Sequence, residues 1–327
     1  MKKISFFTSL LLVACGGAKP IVSNIPTDDV AIVNTVAKID FVKEENVSKT
    51  LKFLTSDELE GRNTGSEGIE KASAYLENLL KENGVKPYFK TYKDTLSNFD
   101  RPAYNVVGFI EGNDSKLKNE FVIIGAHYDH IGRIKAVNGD DIANGANDNA
   151  SGTTAVTEVM KYFAKNKTNK RSLIITFFSA EEKGLLGSKH LAKKLKEQNL
   201  NLYFMFNYEM IGVKMNREDM LLYLTGFGKS NMAQIMNDYS GEKLIGYIPA
   251  ETQYQLFRAS DNYPFFTEFD VPAQTVSTFD FENFQFYHQP DDEFELMDTK
   301  HMTNVINKTI PVLEAMMNAE TKEIQMK

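Results

Sequence analysis

The sequence predicts an α/β fold, a single domain with a central mixed, mostly parallel β-sheet flanked by helices on both faces. Three short, strongly apolar runs, residues 121–124, 173–178 and 202–207, read as buried strands. Helical patterns at 152–164 and 184–196 alternate with them, the rhythm of a parallel sheet covered on both sides. A chain of 327 residues, 42% hydrophobic and 25% charged, supplies a sizeable core, and beyond the N-terminus no repeat, low-complexity tract or Gly/Ser linker divides it.

The N-terminus is of different composition from the rest. Lys2 and Lys3 precede an apolar stretch at 4–14, followed by Cys15 and two glycines. The stretch is too short to span a bilayer as a helix, and its charged start and small-residue end are those of an export signal. Leu12-Val13-Ala14-Cys15 resembles a bacterial lipobox, in which the chain is cut before the cysteine and the cysteine carries the lipid. A plain signal peptide with an incidental cysteine is the alternative. Cys15 is the sole cysteine, so disulfides within the chain are excluded. The expected organisation is a signal peptide at 1–14, a lipidated Cys15 with a polar tether to residue 35, and one domain at 36–327. That places the protein in the bacterial cell envelope, touching the membrane only through its lipid.

In chain order, apolar Ile69, Ala72, Tyr75, Leu76, Leu79 and Leu80 recur at helical spacing across 66–84, and Gly84 is a natural stop. Two β-rich pieces follow, 87–95 and 104–110, before the three apolar runs. A further strand at 220–224, a helix near 230–239, a strand at 271–277 and a terminal helix from about 300 to 319 complete the pattern. In such sheets ligands bind beyond the carboxyl ends of the strands, and the polar residues of interest fall there. The net charge of -7, with no basic tract, gives nucleic acid nothing to follow and argues against a polybasic membrane surface.

The candidate chemistry begins at Gly125-Ala-His-Tyr-Asp-His130. His127 projects from a strand end, and Asp129, two residues on, is expected to accept the second imidazole proton, which fixes the tautomer of a metal-binding histidine. His130 is ranked below His127 as a ligand. Asp148, between two asparagines before a helix, reads either as a helix cap or as a carboxylate bridging two divalent ions about 3.5 to 4 Å apart. Glu181 and Glu182 follow a strand. Their side chains diverge, so one can bind metal while the other faces substrate as a general base; a solvated helix start is the alternative. Glu209 ends an apolar strand, where a buried carboxylate needs a cation, either a metal or a buried Arg or Lys. His288, after Tyr287, closes the set as a loop imidazole, a place where an ordinary exposed histidine is the alternative. His190 and His301 sit in helical patterns and read as surface residues. Two histidines and three carboxylates, one shared, give each of two metals three protein ligands and leave room for water or substrate.

These groups, in this order, resemble the co-catalytic two-zinc aminopeptidase family that also contains glutamate carboxypeptidases and glutaminyl cyclases. The match runs from about residue 57 to the C-terminus and includes Ser56-Asp-Glu-Leu-Glu-Gly-Arg62, Ser179-Ala-Glu-Glu-Lys-Gly-Leu-Leu-Gly-Ser188 and Tyr287-His-Gln-Pro-Asp-Asp292. The resemblance implies a phosphorylase/hydrolase-like fold and two Zn2+ per chain. His127, Asp148 and Glu209 would hold one, and Asp148, Glu182 and His288 the other. It further implies Glu181 as general base, Tyr287 as a hydroxyl that polarises the scissile carbonyl, and Asp129 behind the first histidine. Two positions depart from the family: Glu209 stands where aspartate is usual, and Asn262 where histidine is common, which leaves the role of neighbouring Asp261 open. The implied activity is an aminopeptidase acting on peptides with a free N-terminus, as a monomer. A carboxypeptidase or dipeptidase, a single-zinc glutaminyl cyclase and a non-catalytic binding lipoprotein are the alternatives, the last requiring lost ligands where none are lost. Residues 247–263, aromatic and carrying Arg258, are the expected substrate pocket.

Overall fold

The strands and helices follow from where apolar side chains repeat with period two or near four. The computed structural model describes residues 35–327, so the expected signal peptide, Cys15 and the tether up to residue 34 lie outside the described residues. In chain order the strands are β1 Lys86–Pro87, β2 Lys93–Thr95, β3 Tyr104–Ile110, β4 Phe121–His127, β5 Gly132–Val137, β6 Asp140–Ala143, β7 Ser172–Phe178, β8 Leu202–Tyr208, β9 Leu222–Leu224, β10 Ile245–Gly246 and β11 Ala273–Ser277. The helices are α1 Glu44–Leu54, α2 Glu67–Glu82, α3 Gly152–Asn166, α4 Leu186–Glu197, α5 Met232–Ser240, α6 Pro249–Gln253, α7 Asn262–Phe269 and α8 Thr299–Asn318.

Nine strands form one sheet in the order β1-β3-β7-β4-β8-β11-β9-β10, with β2 on β3. The centre is parallel, β7 and β8 flanking β4 and β11 lying on β8, while β3 joins antiparallel at one side and β9 at the other. This is the mixed sheet expected. Burial on both faces explains why β4, β7 and β8 read as continuous apolar runs rather than alternating ones. Within β7, Leu173, Ile175 and Phe177 point into the larger core under α1, α2, α3 and α8, and Ile174 and Phe178 into the smaller one under α4 and α7. Each such side chain taken from water contributes roughly 1.5–3 kcal/mol.

Helix α2 starts where Ser66 caps it, its hydroxyl accepting from the Ile69 N–H, and stops before Gly84, whose φ of 68° suits glycine. The helix expected from residue 184 begins later, at Leu186, because residues 181–185 form a turn. Helix α1, whose buried Val47, Leu51 and Leu54 recur at helical spacing, and the β5–β6 hairpin are additions to the expected elements. Among the described residues no helix is long and apolar enough to cross a membrane.

Two histidines depart from the expectation. His301 on α8 is buried, 7% exposed, and His190 on α4 is half-buried with Nε2 3.4 Å from Asp94 Oδ1. A histidine in a helical pattern reads as polar, yet its ring is large enough to be covered by whatever packs over that face.

Candidate functional site

The carboxyl ends of the central strands bring the scattered polar residues together. His127 is the last residue of β4, Glu181 and Glu182 follow β7, Glu209 follows β8, and His288 lies in the loop between β11 and α8. Asp148 sits in the coiled segment Ala146–Ser151 before α3. Three of the chain's five histidines converge here.

Two groups of potential ligand atoms result, each with its atoms within 4.8 Å of one another: His127, Asp148 and Glu209 in one, and His130, Asp148, Glu182 and His288 in the other. Asp148 belongs to both. Its Oδ1 is 3.3 Å from His127 Nε2 and its Oδ2 is 3.1 Å from His288 Nε2. In the first group His127 Nε2 lies 2.9 Å from Glu209 Oε1. In the second, Glu182 Oε1 is 2.9 Å from His130 Nδ1 and 3.1 Å from His288 Nε2. All five expected metal-binding side chains therefore share one site, and His130, ranked below His127, joins them fully buried.

Asp129 is the exception in detail. His127 Nδ1 is bonded to the Asp129 backbone carbonyl at 3.1 Å, and the carboxylate Oδ1 is 3.7 Å away. The turn after β4 swings the carbonyl under the ring, and it can fix the tautomer as well as a carboxylate would. The Asp129 carboxylate instead accepts from the backbone N–H groups of Glu181 and Glu182, at 3.1 and 3.4 Å, and from Thr64 Oγ1 at 3.0 Å. It sets the position of the glutamate pair.

Several residues given no role in the sequence reading build the rest. Asp292 accepts from the Asn147 and Asp148 N–H groups at 2.7 and 3.1 Å, and holds the Asp148 loop from behind. Arg62, fully buried, donates to the carbonyls of Tyr128, Asn144 and Gly145 at 2.8, 2.6 and 2.9 Å and to that of Leu54. It ties the loop after His127 to the loop before Asp148. Ser260 Oγ donates to Glu209 Oε2 at 2.7 Å, with the Asn207 amide at 3.5 Å. Among the described residues no buried Arg or Lys meets Glu209; its side-chain partners are His127, Ser260 and Asn207.

The electrostatics are those of a cation site. Burial disfavours the protonated ring of His288, yet hydrogen bonds to Asp148 and Glu182 raise it to about 10. Burial works against ionised Asp148 too, and the hydrogen bonds from His127 and His288 hold it well below the usual carboxylate range. Burial lifts Glu181 well above that range; His127 pulls it down, and Glu209 and Asp261 push it further up. Burial is the main cause that takes Asp261 to about 7, with His127 and Ser188 pulling it down and Glu209 and Asp129 pushing it up. The concentrated negative potential that holds a proton on His288 would equally hold divalent ions, and carboxylate and imidazole donors suit zinc. The residues present fit two such ions sharing Asp148.

A cavity of about 100 Å³ opens onto His127, Asp148, Glu181 and Glu209, with Leu256, Phe279, Phe281 and Tyr287 as its apolar wall. Tyr287 stacks on His288, ring centres 3.9 Å apart.

Residues 105–312 match the family described as Peptidase family M28. The chain belongs to that family. A probable leucine aminopeptidase of Trichophyton verrucosum is 26% identical over 300 residues, 87% of this M28 chain and 76% of that one. The solved Legionella pneumophila LapA aminopeptidase superposes with a TM-score of 0.65 at 22% identity, covering 86% of this chain and 73% of that one. Porphyromonas gingivalis glutaminyl cyclase superposes with a TM-score of 0.63 at 14% identity, covering 84% and 99%. Several curated relatives are longer, and the M28 chain spans 38% and 52% of two of them. At such identities the superpositions speak for the fold, and the site residues rest on the geometry above.

The segment expected to form the pocket, 247–263, divides. Leu256, Ala259 and Ser260 face the cavity over the metal-binding side chains, while Tyr247, Phe257 and Arg258 line a separate, outer one.

Proposed function

We propose that this M28 chain is a zinc-dependent aminopeptidase that removes N-terminal residues from peptides, with two Zn2+ per chain. His127, Asp148 and Glu209 would hold one ion; Asp148, Glu182 and His288 would hold the other, with His130 beside them. The observation that carries the reading is Asp148, whose two oxygens reach both ligand groups while Glu181 lines the same cavity. Bound zinc supplies Lewis acidity and lowers the pKa of a coordinated water from 15.7 to about 7.

The chain's own groups then divide the work. Glu181, buried and biased toward holding a proton, takes it from the attacking water and returns it to the leaving amine. Tyr287 offers a hydroxyl at the cavity wall for the developing oxyanion. Glu209 and Asp148 supply the negative field that receives a free α-amino group, and Leu256, Phe279 and Phe281 receive the side chain next to it. Amino-acid anilides and their N-blocked equivalents test this: cleavage of the free-amine set alone supports it, and cleavage of neither overturns it.

A glutaminyl cyclase is the second reading, because the Porphyromonas gingivalis glutaminyl cyclase shares this fold. It works with one zinc, so metal content separates the two. For the N-terminus we propose export, lipidation at Cys15 and residence in the bacterial cell envelope, the domain acting as a monomer on a tether ending near residue 35. Metabolic labelling with a radioactive fatty acid, lost in Cys15→Ala, tests that.

A further inference from the structure

An outer cavity of about 760 Å³ is lined by chain neighbours of residues that line the metal-facing one. Thr225 lines the inner space and Gly226 the outer; Leu256 lines the inner and its neighbours Gln255 and Phe257 the outer. A side chain at Gly226 would start 2.3 Å from the Phe257 ring, so the aromatic packs on bare backbone there. The floor is fixed: Phe257 meets Tyr263 and Phe266 edge-on, at 5.8 and 4.9 Å between ring centres, and Phe227 lies 5.9 Å from Tyr247.

Two cations line this cavity, Lys229 and Arg258. The Lys229 ammonium lies 5.7 and 5.9 Å from the Phe257 and Phe266 ring centres, and Arg258 is exposed. Among the described residues neither has a carboxylate within 4.0 Å. The one carboxylate lining the cavity, Glu251, is buried and engaged: Oε1 accepts from the Gly226 N–H at 2.7 Å and Oε2 from Thr252 Oγ1 at 3.0 Å. Counting Glu251 in full still leaves one positive charge unmatched. A planar guanidinium is shaped to take a carboxylate through two parallel hydrogen bonds, and aromatic faces accept the peptide planes leading to it.

Given the aminopeptidase reading, on which this rests, we propose that the outer cavity is a subsite for the part of the peptide downstream of the scissile bond, and that Arg258 and Lys229 receive its C-terminal carboxylate. The inner cavity, about 100 Å³, is several times smaller than the outer one, which is large enough to take the departing portion. Short peptides with a free C-terminus are the favoured substrates.

The test compares leucyl peptides of two to five residues as free acids and as C-terminal amides, using the full-length, zinc-loaded protein and the double variant Arg258→Gln, Lys229→Gln. At one or two lengths the native protein should show kcat/KM about 3- to 10-fold higher for the acid than for the amide, the size expected of one or two partly exposed ion pairs. In the variant this ratio should fall to about one, whereas mere structural damage would lower both substrates together and preserve it. A native ratio of one at every length, or an unchanged ratio in the variant, overturns the proposal. Native turnover of leucine anilide is measured alongside, and its absence overturns the aminopeptidase reading instead. In that event calorimetric titration of N-acetylated tetrapeptide acid and amide decides the subsite alone: tighter binding of the acid, abolished in the variant, supports it, and equal binding overturns it.

Discussion

Replacing Arg62 by methionine removes the buried guanidinium but keeps most of its volume. Its four hydrogen bonds go to the carbonyls of Leu54, Tyr128, Asn144 and Gly145, all on segments that frame the site. Burial lowers Arg62 to about 10, short of what would neutralise it near pH 7, so it acts as a charged donor. An acceptor left buried and unpaired costs about 1–3 kcal/mol, and water entering the vacated space can satisfy one or two of the four. The balance is a loss of roughly 3–5 kcal/mol, a large share of the roughly 5–15 kcal/mol typical of a folded domain. Urea unfolding at pH 7, followed by far-UV circular dichroism, measures it. Arg62→Lys keeps the charge with fewer, shorter-reaching donors and should lose about half as much. Loss of less than about 1 kcal/mol in Arg62→Met would show that these loops hold together without the guanidinium.

Three other outcomes follow from the site and its surroundings. Glu181→Gln should lower kcat by about 10²- to 10⁴-fold with zinc content unchanged; near-normal turnover in the fully loaded variant contradicts the base assignment. Ser260→Ala removes the 2.7 Å bond that orients Glu209 and should weaken binding of one of the two zincs by about 10- to 100-fold in competition with a chelator, and equal affinity of both contradicts it. Away from the site, burial would raise Asp94, but hydrogen bonds from His190 and Lys194 hold it below its ordinary 3.8. A carboxylate depressed in the folded state contributes stability above its unfolded pKa that is lost as pH falls through and below about 4. Asp94→Asn should therefore flatten the acid limb of the stability curve, and an unchanged limb places the loss elsewhere.

The sheet was legible because its central strands are buried on both faces and announce themselves as apolar runs, and because residues 152–164 keep a clear helical pattern. The side chains proposed to bind metal were legible through their joint placement at strand ends, a helix start and a loop; singly, a cap or a solvated helix start accounts for the carboxylates equally well. What escaped was geometry at the scale of a turn. Whether the Asp129 carbonyl or its carboxylate meets His127 depends on the path of two backbone bonds, and no residue spacing encodes it. His130 was ranked low because a histidine three residues past a strand end can face anywhere; the hairpin β5–β6 and the Arg62 contacts turn it inward. Arg62 and Asp292 carried a resemblance but no visible task, since all their partners but the Leu54 carbonyl are backbone groups 66 to 145 residues away. The division of 247–263 between two cavities arises from a ring of Phe257 laid against Gly226, a contact with no linear signature.

Metal content measured by plasma mass spectrometry on purified protein, reconstituted with zinc and freed of excess, tests the central claim most directly. The shared Asp148 site predicts about two zincs per native chain. Glu209→Ala should hold about one, and so should Glu182→Ala. One zinc in the native chain, with Glu209→Ala unchanged at one, would contradict the two-ion account and leave the single-metal cyclase reading in its place.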